Sequence, residues 1–236
     1  MATVTEKNFA SKEEMTAALS ELLQSGLSQG IEHDGEAVLL VSGGSSPAPA
    51  YRFLSGVDLG WDKITVAMVD ERWVEASHEK SNEAFIKSTL LQDKAANARF
   101  VTMKNAAATA QQGLSECEAA YGQLKQPFDV TILGMGPDGH TASLFPHADG
   151  LDEALTSSNL VAAINAHESE VTGAITERMS LSLAGIANSK AVVLLISGEE
   201  KKAMYEQAKQ PGSNKAIPLR AVLNHPNIDL TVFWCP

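Results

Sequence analysis

The sequence FDVTILGMGPDGHTASLFP, from Phe128 to Pro146, contains the change of pattern on which the interpretation of the whole chain depends. Its first part, Phe128 to Leu133, is apolar and partly β-branched, which predicts a buried strand. Three glycines and Pro137 follow, and they predict a tight turn whose backbone is approached closely by another group. Thr141 and Ser143 then stand where a helix would begin. The stretch therefore predicts a strand, a tight turn and the start of a helix.

The predicted turn carries two residues that can do chemistry, Asp138 and His140. Because the turn follows a strand, both lie at the carboxyl end of that strand, where open α/β sheets bind their ligands. An ordinary strand-to-helix connection is the alternative, since most such turns carry no chemistry. An acid and a histidine among three glycines are harder to explain in that way, so we expect this turn to belong to a ligand site.

The composition is typical of a globular protein, with 44% of the 236 residues hydrophobic and 20% charged. The length favours one domain over two. The longest wholly apolar run, Ala191 to Ile196, is far too short to span a bilayer. Residues 1–7 lack the basic-then-apolar pattern of a secretory signal, and the two cysteines suggest neither a disulfide framework nor a metal cluster. We therefore expect a protein of the reducing cytoplasm.

The net charge of −11 argues against nucleic acids and anionic membranes as partners. A small anionic ligand is still compatible with this charge, but it would need local donors and cations that overcome the overall field. The loop after a second predicted strand offers such donors. Gly43 and Gly44 leave backbone N–H groups free to face an anion, and Ser45 or Ser46 can cap a helix that the following proline begins. A phosphate cradle and a plain strand-to-helix loop are equally good interpretations of this loop alone.

Two cations stand near other predicted strand ends. Arg72 follows the strand Ile64 to Val69 directly after two acids, and it is either part of a salt-bridged structural corner or a ligand-facing arginine held by those acids. Lys201 lies in the first turn of a predicted helix, where a cation opposes the helix dipole, so it is either solvated or attracted by a ligand. Strands alternate with helices throughout, which predicts an α/β protein with a mainly parallel sheet.

Three common kinds of site fit the sequence poorly. The glycines of the turn match the dinucleotide fingerprint, but the next predicted strand ends at Asn165 instead of an acid, and Asp138 would repel a pyrophosphate. His140 and His147 have no carboxylates or cysteines at metal-ligand spacing. Ser143 is not in a G-x-S-x-G elbow. A histidine beside an aspartate remains, and it could activate water or abstract a proton from a sugar.

Taken together, the motifs resemble those of the 6-phosphogluconolactonase family, and the resemblance spans nearly the whole chain. The matching segments are Ser42 to Pro47, Asp70 to Val74 with His78, Ser81 and Asn82, Gly134 to Pro146, Glu177 to Leu181, Gly198 to Lys201, Pro218 to Leu223 and Val232 to Trp234. The segment Gly134 to Pro146 is highly specific, whereas the Ser-Gly-Gly-Ser loop is shared with sugar-phosphate isomerases and deaminases. Glu75 replaces a frequent proline and Ser46 the usual threonine. The proline-rich approach to Arg178 is missing, so the resemblance fixes Arg178 less closely than His140.

The resemblance implies a three-layer α/β/α fold with a mainly parallel sheet, a modified Rossmann-like single domain over residues 1–236. It implies hydrolysis of 6-phospho-D-glucono-1,5-lactone to 6-phospho-D-gluconate in the oxidative pentose phosphate pathway, with no metal and no organic cofactor. His140 would activate water, Asp138 would orient it or shape the turn, and Arg72 would bind substrate or stabilise the oxyanion. The residues that would hold the phosphate are Gly43, Gly44, Ser45, Ser46, Arg178 and Lys201.

Two alternatives remain open beside the lactonase. A glucosamine-6-phosphate deaminase has a similar fold, but deaminases continue after the equivalent histidine with an acid, where this chain has Ser143 to Phe145. A sugar-phosphate-sensing domain of a transcription regulator would need a DNA-binding helix-turn-helix, for which the chain before its first predicted strand is too short. It would also need a basic patch, which the sequence lacks. The sequence makes no prediction of the oligomeric state.

Overall fold

The computed structural model describes residues 2–236 of the chain. The strands are β1 (Thr3–Asn8), β2 (Ala37–Val41), β3 (Ile64–Met68), β4 (Asp70–Arg72), β5 (Arg99–Val101), β6 (Phe128–Gly134), β7 (Val161–Asn165), β8 (Glu177–Leu181), β9 (Ser189–Ser197) and β10 (Asp229–Cys235). The α-helices are α1 (Lys12–Asp34), α2 (Ala48–Ser55), α3 (Asn82–Thr89), α4 (Ala110–Gly122), α5 (Leu151–Thr156), α6 (Leu183–Ala187), α7 (Glu199–Lys209) and α8 (Leu219–Asn224). None of these helices is both long enough and apolar enough to cross a membrane within the described range 2–236.

Seven strands form the main sheet, in the order β1-β10-β9-β6-β2-β3-β5, and every neighbouring pair is parallel. The other three form a small antiparallel sheet in the order β4-β8-β7. Helices flank the main sheet, and α1 packs on α2 and against β2 and β6. The prediction of an α/β domain with a mainly parallel sheet is therefore confirmed, whereas the second sheet has no counterpart in the sequence pattern.

The central strands of the main sheet are buried along their whole length. Every residue of β2 and of β3 is buried, and so are all residues of β6 except Gly134. A parallel sheet that is covered on both faces requires apolar residues at successive positions, and the runs AVLLV and ITVAM meet this requirement. Continuous apolar runs, rather than alternating ones, therefore identify the strands that form the middle of this fold.

The chain does not begin a helix at Thr141, so this part of the prediction is wrong. Ala142 has a φ of 51°, which no right-handed helix allows. The Ser143 backbone N–H donates to Ser180 Oγ at 3.0 Å, and its hydroxyl donates to Asp70 Oδ2 at 2.6 Å. Tertiary hydrogen bonds therefore take the polar groups that would otherwise begin a helix, and the next helix along the chain is α5.

The main sheet changes its direction of growth between β2 and β6. From β2 the chain adds β3 and β5 on one side, and from β6 it adds β9, β10 on the other. Where a parallel sheet reverses in this way, the loops after the two central strands diverge and leave a crevice at the carboxyl ends of the strands. The glycine-rich loops that the sequence singles out follow these two strands.

Candidate active site

A cavity of about 610 Å³ occupies this crevice. It is lined by residues at the ends of β2, β6 and β9, which are neighbours in the main sheet, and by residues of β4 from the small sheet. Sequence-predicted site residues that line it are Arg72, His140, Lys201 and the loop Ser42 to Pro47. Asp138 and Arg178 are not among the lining residues. The fold thus brings most of the predicted site together, although its parts are far apart in the sequence.

His140 lies at the cavity wall and forms a hydrogen-bonded pair with Asp138, which does not line the cavity. His140 Nδ1 lies 2.6 Å from Asp138 Oδ1, and the His140 backbone N–H donates to the same oxygen at 3.1 Å. Burial raises the pKa of Asp138, but the hydrogen bond and the charge of His140 outweigh burial and lower the pKa overall. The carboxylate is therefore ionised at neutral pH and is an acceptor for a proton on Nδ1. In a neutral imidazole that carries its proton on Nδ1, Nε2 is a proton acceptor.

Two glycines of the turn are required by their surroundings. A Cβ on Gly136 would lie 2.1 Å from His140 Cε1, which is closer than real Cβ contacts. Gly139 has a φ of 80°, and a Cβ there would lie 2.5 Å from Ile217 Cγ2. The backbone N–H of Gly136 donates to the carbonyl of His140 at 3.0 Å and closes the turn. The glycines predict that another group closely approaches the backbone of the turn, and at Gly136 this group is the imidazole of His140.

Arg72 reaches the cavity from β4 and is held by neutral oxygen acceptors. Its Nη1 donates to Asn82 Oδ1 at 3.2 Å and to the Lys80 carbonyl at 2.8 Å. Asn82 Nδ2 in turn donates to Asp70 Oδ1 at 3.1 Å and to the Asp70 carbonyl at 2.9 Å. Asp70 thereby fixes which way the Asn82 amide points. Within the described residues the Arg72 guanidinium makes no ion pair, so its charge is available to a ligand.

Glu71 precedes Arg72 but serves helix α3. Its carboxylate is fully buried and accepts the backbone N–H groups of Arg72, Asn82 and Glu83, each at 2.8 Å, and the Ser81 hydroxyl at 3.0 Å. Burial raises the pKa of Glu71, and these four hydrogen bonds act against the rise. The charged cluster at this strand end is therefore neither a salt-bridged corner nor an arginine gripped by its adjacent acid. The glutamate anchors the amino end of α3.

The loop after β2 forms one wall of the cavity. Its members in the wall include Gly43, Gly44, Ser45 and Ser46. Gly43 packs so closely on Asn82 that a Cβ would lie 2.2 Å from the amide oxygen, and Gly44 has a φ of 102°. Helix α2 has Pro47 as its N-cap residue and no capping side chain, so the predicted serine cap is wrong. The hydroxyls of Ser45 and Ser46 therefore do not cap α2, and both serines line the cavity.

Lys201 lies in the first turn of α7 and lines the cavity from the β9 side. The side chain is half-buried, and this burial lowers the pKa of Lys201, against the opposing effect of the nearby Glu200 carboxylate. No ion pair to Lys201 occurs among residues 2–236. A half-buried lysine without an acidic partner gives the cavity a cation that an anionic ligand can neutralise.

Arg178 is close to the site but lies beneath its surface. It is on β8 opposite Arg72 and is only 4% exposed. Its Nε donates to the Ile175 carbonyl and its Nη2 to the Thr172 carbonyl, both at 3.0 Å. Burial lowers the pKa of Arg178 to about 10, so it remains a cation at neutral pH. The structure does not bring this guanidinium to the cavity with Lys201, but ties it to the loop between β7 and β8.

Some cavity residues have no assigned role in the sequence interpretation. They include Asp70, Asn82, Glu170 and Val171. Asn82 has a recognisable signal, because a polar residue follows the N-cap Ser81 at the start of a helix near a charged strand end. Glu170 and Val171 belong to a loop without periodicity, so nothing in the sequence indicates that this loop reaches the cavity.

Sequence comparison identifies relatives over almost the full length. The family described as glucosamine-6-phosphate isomerases/6-phosphogluconolactonase matches residues 10–234. The 6-phosphogluconolactonase of Mesorhizobium japonicum is 38% identical over 230 residues, which are 97% of this chain and 94% of that protein. The 6-phosphogluconolactonase of Neisseria meningitidis serogroup B is 39% identical over 223 residues, which are 94% of each protein.

Solved structures agree with this result. A 6-phosphogluconolactonase from Shewanella baltica superposes with a TM-score of 0.93 at 35% identity, covering 100% of this chain and 98% of that one. A monomeric glucosamine-6-phosphate deaminase superposes with a TM-score of 0.78 at 19% identity, covering 99% and 94%, and shares the fold. The family predicted from the motifs is confirmed. This chain belongs to the 6-phosphogluconolactonase family, within the glucosamine-6-phosphate isomerases/6-phosphogluconolactonase group.

Proposed function

We propose that this protein hydrolyses 6-phospho-D-glucono-1,5-lactone to 6-phospho-D-gluconate, in the cytoplasm and with the whole chain, residues 1–236, acting as one domain. Relatives of the same length carry the name of this activity. The observation that supports the proposal most directly is that His140, paired with Asp138, lines a cavity together with Arg72 and Lys201, two cations without ion pairs among residues 2–236. The net charge of −11 favours a small substrate over nucleic acid.

The proposed chemistry begins with a water molecule bound at His140. Asp138 accepts the proton of Nδ1, so Nε2 takes a proton from water as the hydroxyl oxygen attacks the lactone carbonyl carbon. The carbonyl oxygen becomes an oxyanion, and Arg72 is the cation available to stabilise it. Collapse of this intermediate breaks the bond between the carbonyl carbon and the ring oxygen. His140 then returns its proton to the leaving oxygen, which becomes the sugar hydroxyl.

The phosphate of the substrate is assigned to the other walls of the cavity. The backbone and hydroxyl groups of the loop from Gly43 to Ser46 supply donors, and Lys201 supplies a positive charge. This division lets the substrate be held by its phosphate while the lactone end reaches His140. It also offers a dianion two cations, Arg72 and Lys201, in a cavity that Asp70 and Glu170 line as well.

Replacement of His140 by alanine tests the proposed function. His140→Ala is expected to lower lactone hydrolysis by about 10²-fold or more, because the general base is lost. The assay couples 6-phosphogluconate to its dehydrogenase and subtracts spontaneous hydrolysis of the lactone. His147→Ala is the matched control, since His147 is exposed and does not line the cavity.

Two results would contradict the proposal. Near-normal turnover by His140→Ala would remove His140 as the base. A wild-type protein that leaves the spontaneous rate unchanged, but releases ammonia from glucosamine 6-phosphate, would be a deaminase. The segment Ser143 to Phe145, which contains no acid where deaminases continue with one, argues against that outcome.

A further inference from the structure

We propose that Phe145 is a positioning residue for His140, and that Arg178 holds Phe145 in place. The inference rests on the proposed role of His140 as the base and adds the means by which its ring is fixed. It assigns Arg178 an indirect role in place of the phosphate contact that the family resemblance implies. The contacts that support it join the catalytic turn, which is the turn from Gly134 to His140, to Phe145 and to Arg178 on β8.

The Phe145 ring packs directly on the imidazole of His140. The two ring centroids are 4.2 Å apart, and the ring planes are tilted by 31°. Phe145 is 3% exposed and does not line the cavity, so it touches the base and not the substrate. The chain can fold back in this way because Ala142 has a φ of 51° and the Leu144 N–H donates to the Thr141 carbonyl at 2.9 Å.

Hydrogen bonding alone does not fix the His140 ring. Asp138 contacts the imidazole at Nδ1, and a ring held at one atom can still swing about that contact. Phe145 adds a face contact, and Gly136 closes the space at Cε1. Catalytic groups lose efficiency when they are displaced by about 1 Å, so contacts that remove this freedom raise the rate.

Arg178 provides a fixed support for Phe145. Its Cζ lies 5.3 Å from the centroid of the Phe145 ring, within the range of a cation–π contact. The guanidinium cannot move freely, because two of its nitrogens are bonded to the carbonyls of Thr172 and Ile175. A buried arginine, a phenylalanine and the histidine thus form a continuous stack that ends at the cavity.

Phe145→Leu removes the aromatic face while keeping an apolar side chain. The expected result is a fall in kcat of about 10-fold with KM changed by less than about 2-fold, because the base is displaced and the phosphate site is intact. Phe128→Leu is the matched control, since Phe128 is a fully buried ring at the end of β6 that is opposite to the turn with His140. Phe145→Leu with an unchanged kcat would overturn the proposal.

Proton NMR of the free protein observes the stack itself. The His140 ring protons, assigned by their disappearance in His140→Ala, are expected upfield of the other histidines because they lie over the Phe145 ring. The shift is expected to vanish in Phe145→Leu and to persist in Phe145→Tyr, which keeps the ring. Wild-type His140 signals without an upfield shift would overturn the proposal even if Phe145→Leu failed to fold.

Arg178→Lys separates an indirect role from phosphate binding. Lysine keeps the charge but cannot bond both loop carbonyls, so kcat is expected to fall with little change in KM. A rise in KM with normal kcat would identify Arg178 as a phosphate ligand and overturn its assigned role. These results are distinct from failure of the proposed function, which would appear as an active His140→Ala.

Discussion

Gly134 and Gly136 stand close together on the catalytic turn, but only one of them has room for a side chain. A Cβ on Gly134 meets no atom within 4 Å, whereas a Cβ on Gly136 would lie 2.1 Å from His140 Cε1 and 2.8 Å from Asp138 Oδ1. Gly136 has no positive φ, so its requirement arises from the space that the imidazole occupies. A methyl group on Gly136 would therefore crowd the His140 ring.

Gly136→Ala is expected to lower kcat by about 10²-fold, because the methyl group displaces the imidazole from its productive position. Gly122→Ala is expected to retain nearly full activity and is the matched control, because a Cβ on Gly122 also meets no atom within 4 Å and Gly122 does not line the cavity. Steady-state kinetics of both variants, together with thermal unfolding curves that show intact folds, provide the measurement. Equal activity of the two variants would show that the His140 ring tolerates displacement.

At the scale of single elements, helix α3 begins on the buried carboxylate of Glu71. Glu71→Gln is expected to lower the free energy of unfolding by about 2 kcal/mol, because one carboxylate oxygen becomes an NH₂ group that faces the donors of Ser81 and Glu83. The activity is expected to fall as well, since α3 carries the amide of Asn82 that directs Arg72. Urea unfolding and steady-state kinetics test both effects.

Glu79→Gln is the control for this variant, because Glu79 is exposed in the segment before α3 and makes no ion pair among residues 2–236. Its expected cost is below about 1 kcal/mol. A Glu71→Gln protein as stable as Glu79→Gln would mean that the amino end of α3 does not depend on the carboxylate. The comparison distinguishes a buried acceptor from an exposed charge close to the same element.

Helix α7 places Lys201 in the cavity, and its burial has a consequence for pH dependence. Under the proposed function the protonated lysine binds the phosphate, and burial lowers the pKa of Lys201 from the ordinary value of 10.5. Affinity for the alkali-stable product 6-phosphogluconate should therefore weaken as pH rises, beginning below pH 10.5. Isothermal titration calorimetry across this range measures the effect.

Lys201→Arg is expected to keep its affinity through the same pH range, because arginine stays charged. Lys202→Arg is the matched control and should weaken like the wild type, since Lys202 packs over the Trp234 ring at 3.6 Å and does not line the cavity. An identical pH dependence of Lys201→Arg and the wild type would exclude Lys201 as the phosphate cation.

At the scale of the whole molecule, charged residues tie the sheet together at the end opposite the cavity. Asp129, at the start of β6, is buried and accepts the Val38 N–H at 2.7 Å. It also pairs with Lys125 at 2.7 Å and with Lys190 at 3.0 Å, and both lysines pair with Asp34 on α1. The cluster joins α1, β2, β6 and β9 away from the cavity.

Asp129→Ala is expected to lower the free energy of unfolding by about 3 kcal/mol, because it leaves buried partners without their acceptor. The kcat of the folded variant should remain near the wild-type value. Asp152→Ala is the control, since the exposed Asp152–Lys215 pair should contribute less than about 1 kcal/mol. Chemical unfolding measures both, and equal stabilities would show that the buried cluster adds nothing.

The same cluster makes stability depend on acid pH. Hydrogen bonds from Lys125 and Lys190 lower the pKa of Asp34 from 3.8 to about 2. A lowered folded-state pKa means that this contribution is complete above about pH 3.8 and is lost as pH falls towards 2. The stability of the wild type, measured by chemical unfolding, should therefore fall as pH is lowered through this range. The stability of Asp34→Asn should fall less over the same range.

The sequence by itself determined the features that depend on neighbouring residues. The continuous apolar runs of β2, β3 and β6 identify buried parallel strands, because such strands need apolar side chains on both faces. Glycines in the turn indicate a close approach, because other residues lack the space or the backbone freedom. The motif around His140 is equally local, and it identified the family and the pair with Asp138.

Only the tertiary structure decided how distant residues meet. The pairing of β4 with β8 sets Arg178 opposite Arg72 and buries it, and the orientation of the Asn82 amide depends on Asp70. The return of Phe145 onto His140 replaces the expected helix at Thr141 with a loop held by tertiary hydrogen bonds. These arrangements depend on contacts between separate strands and loops, and propensities within a short window do not specify them.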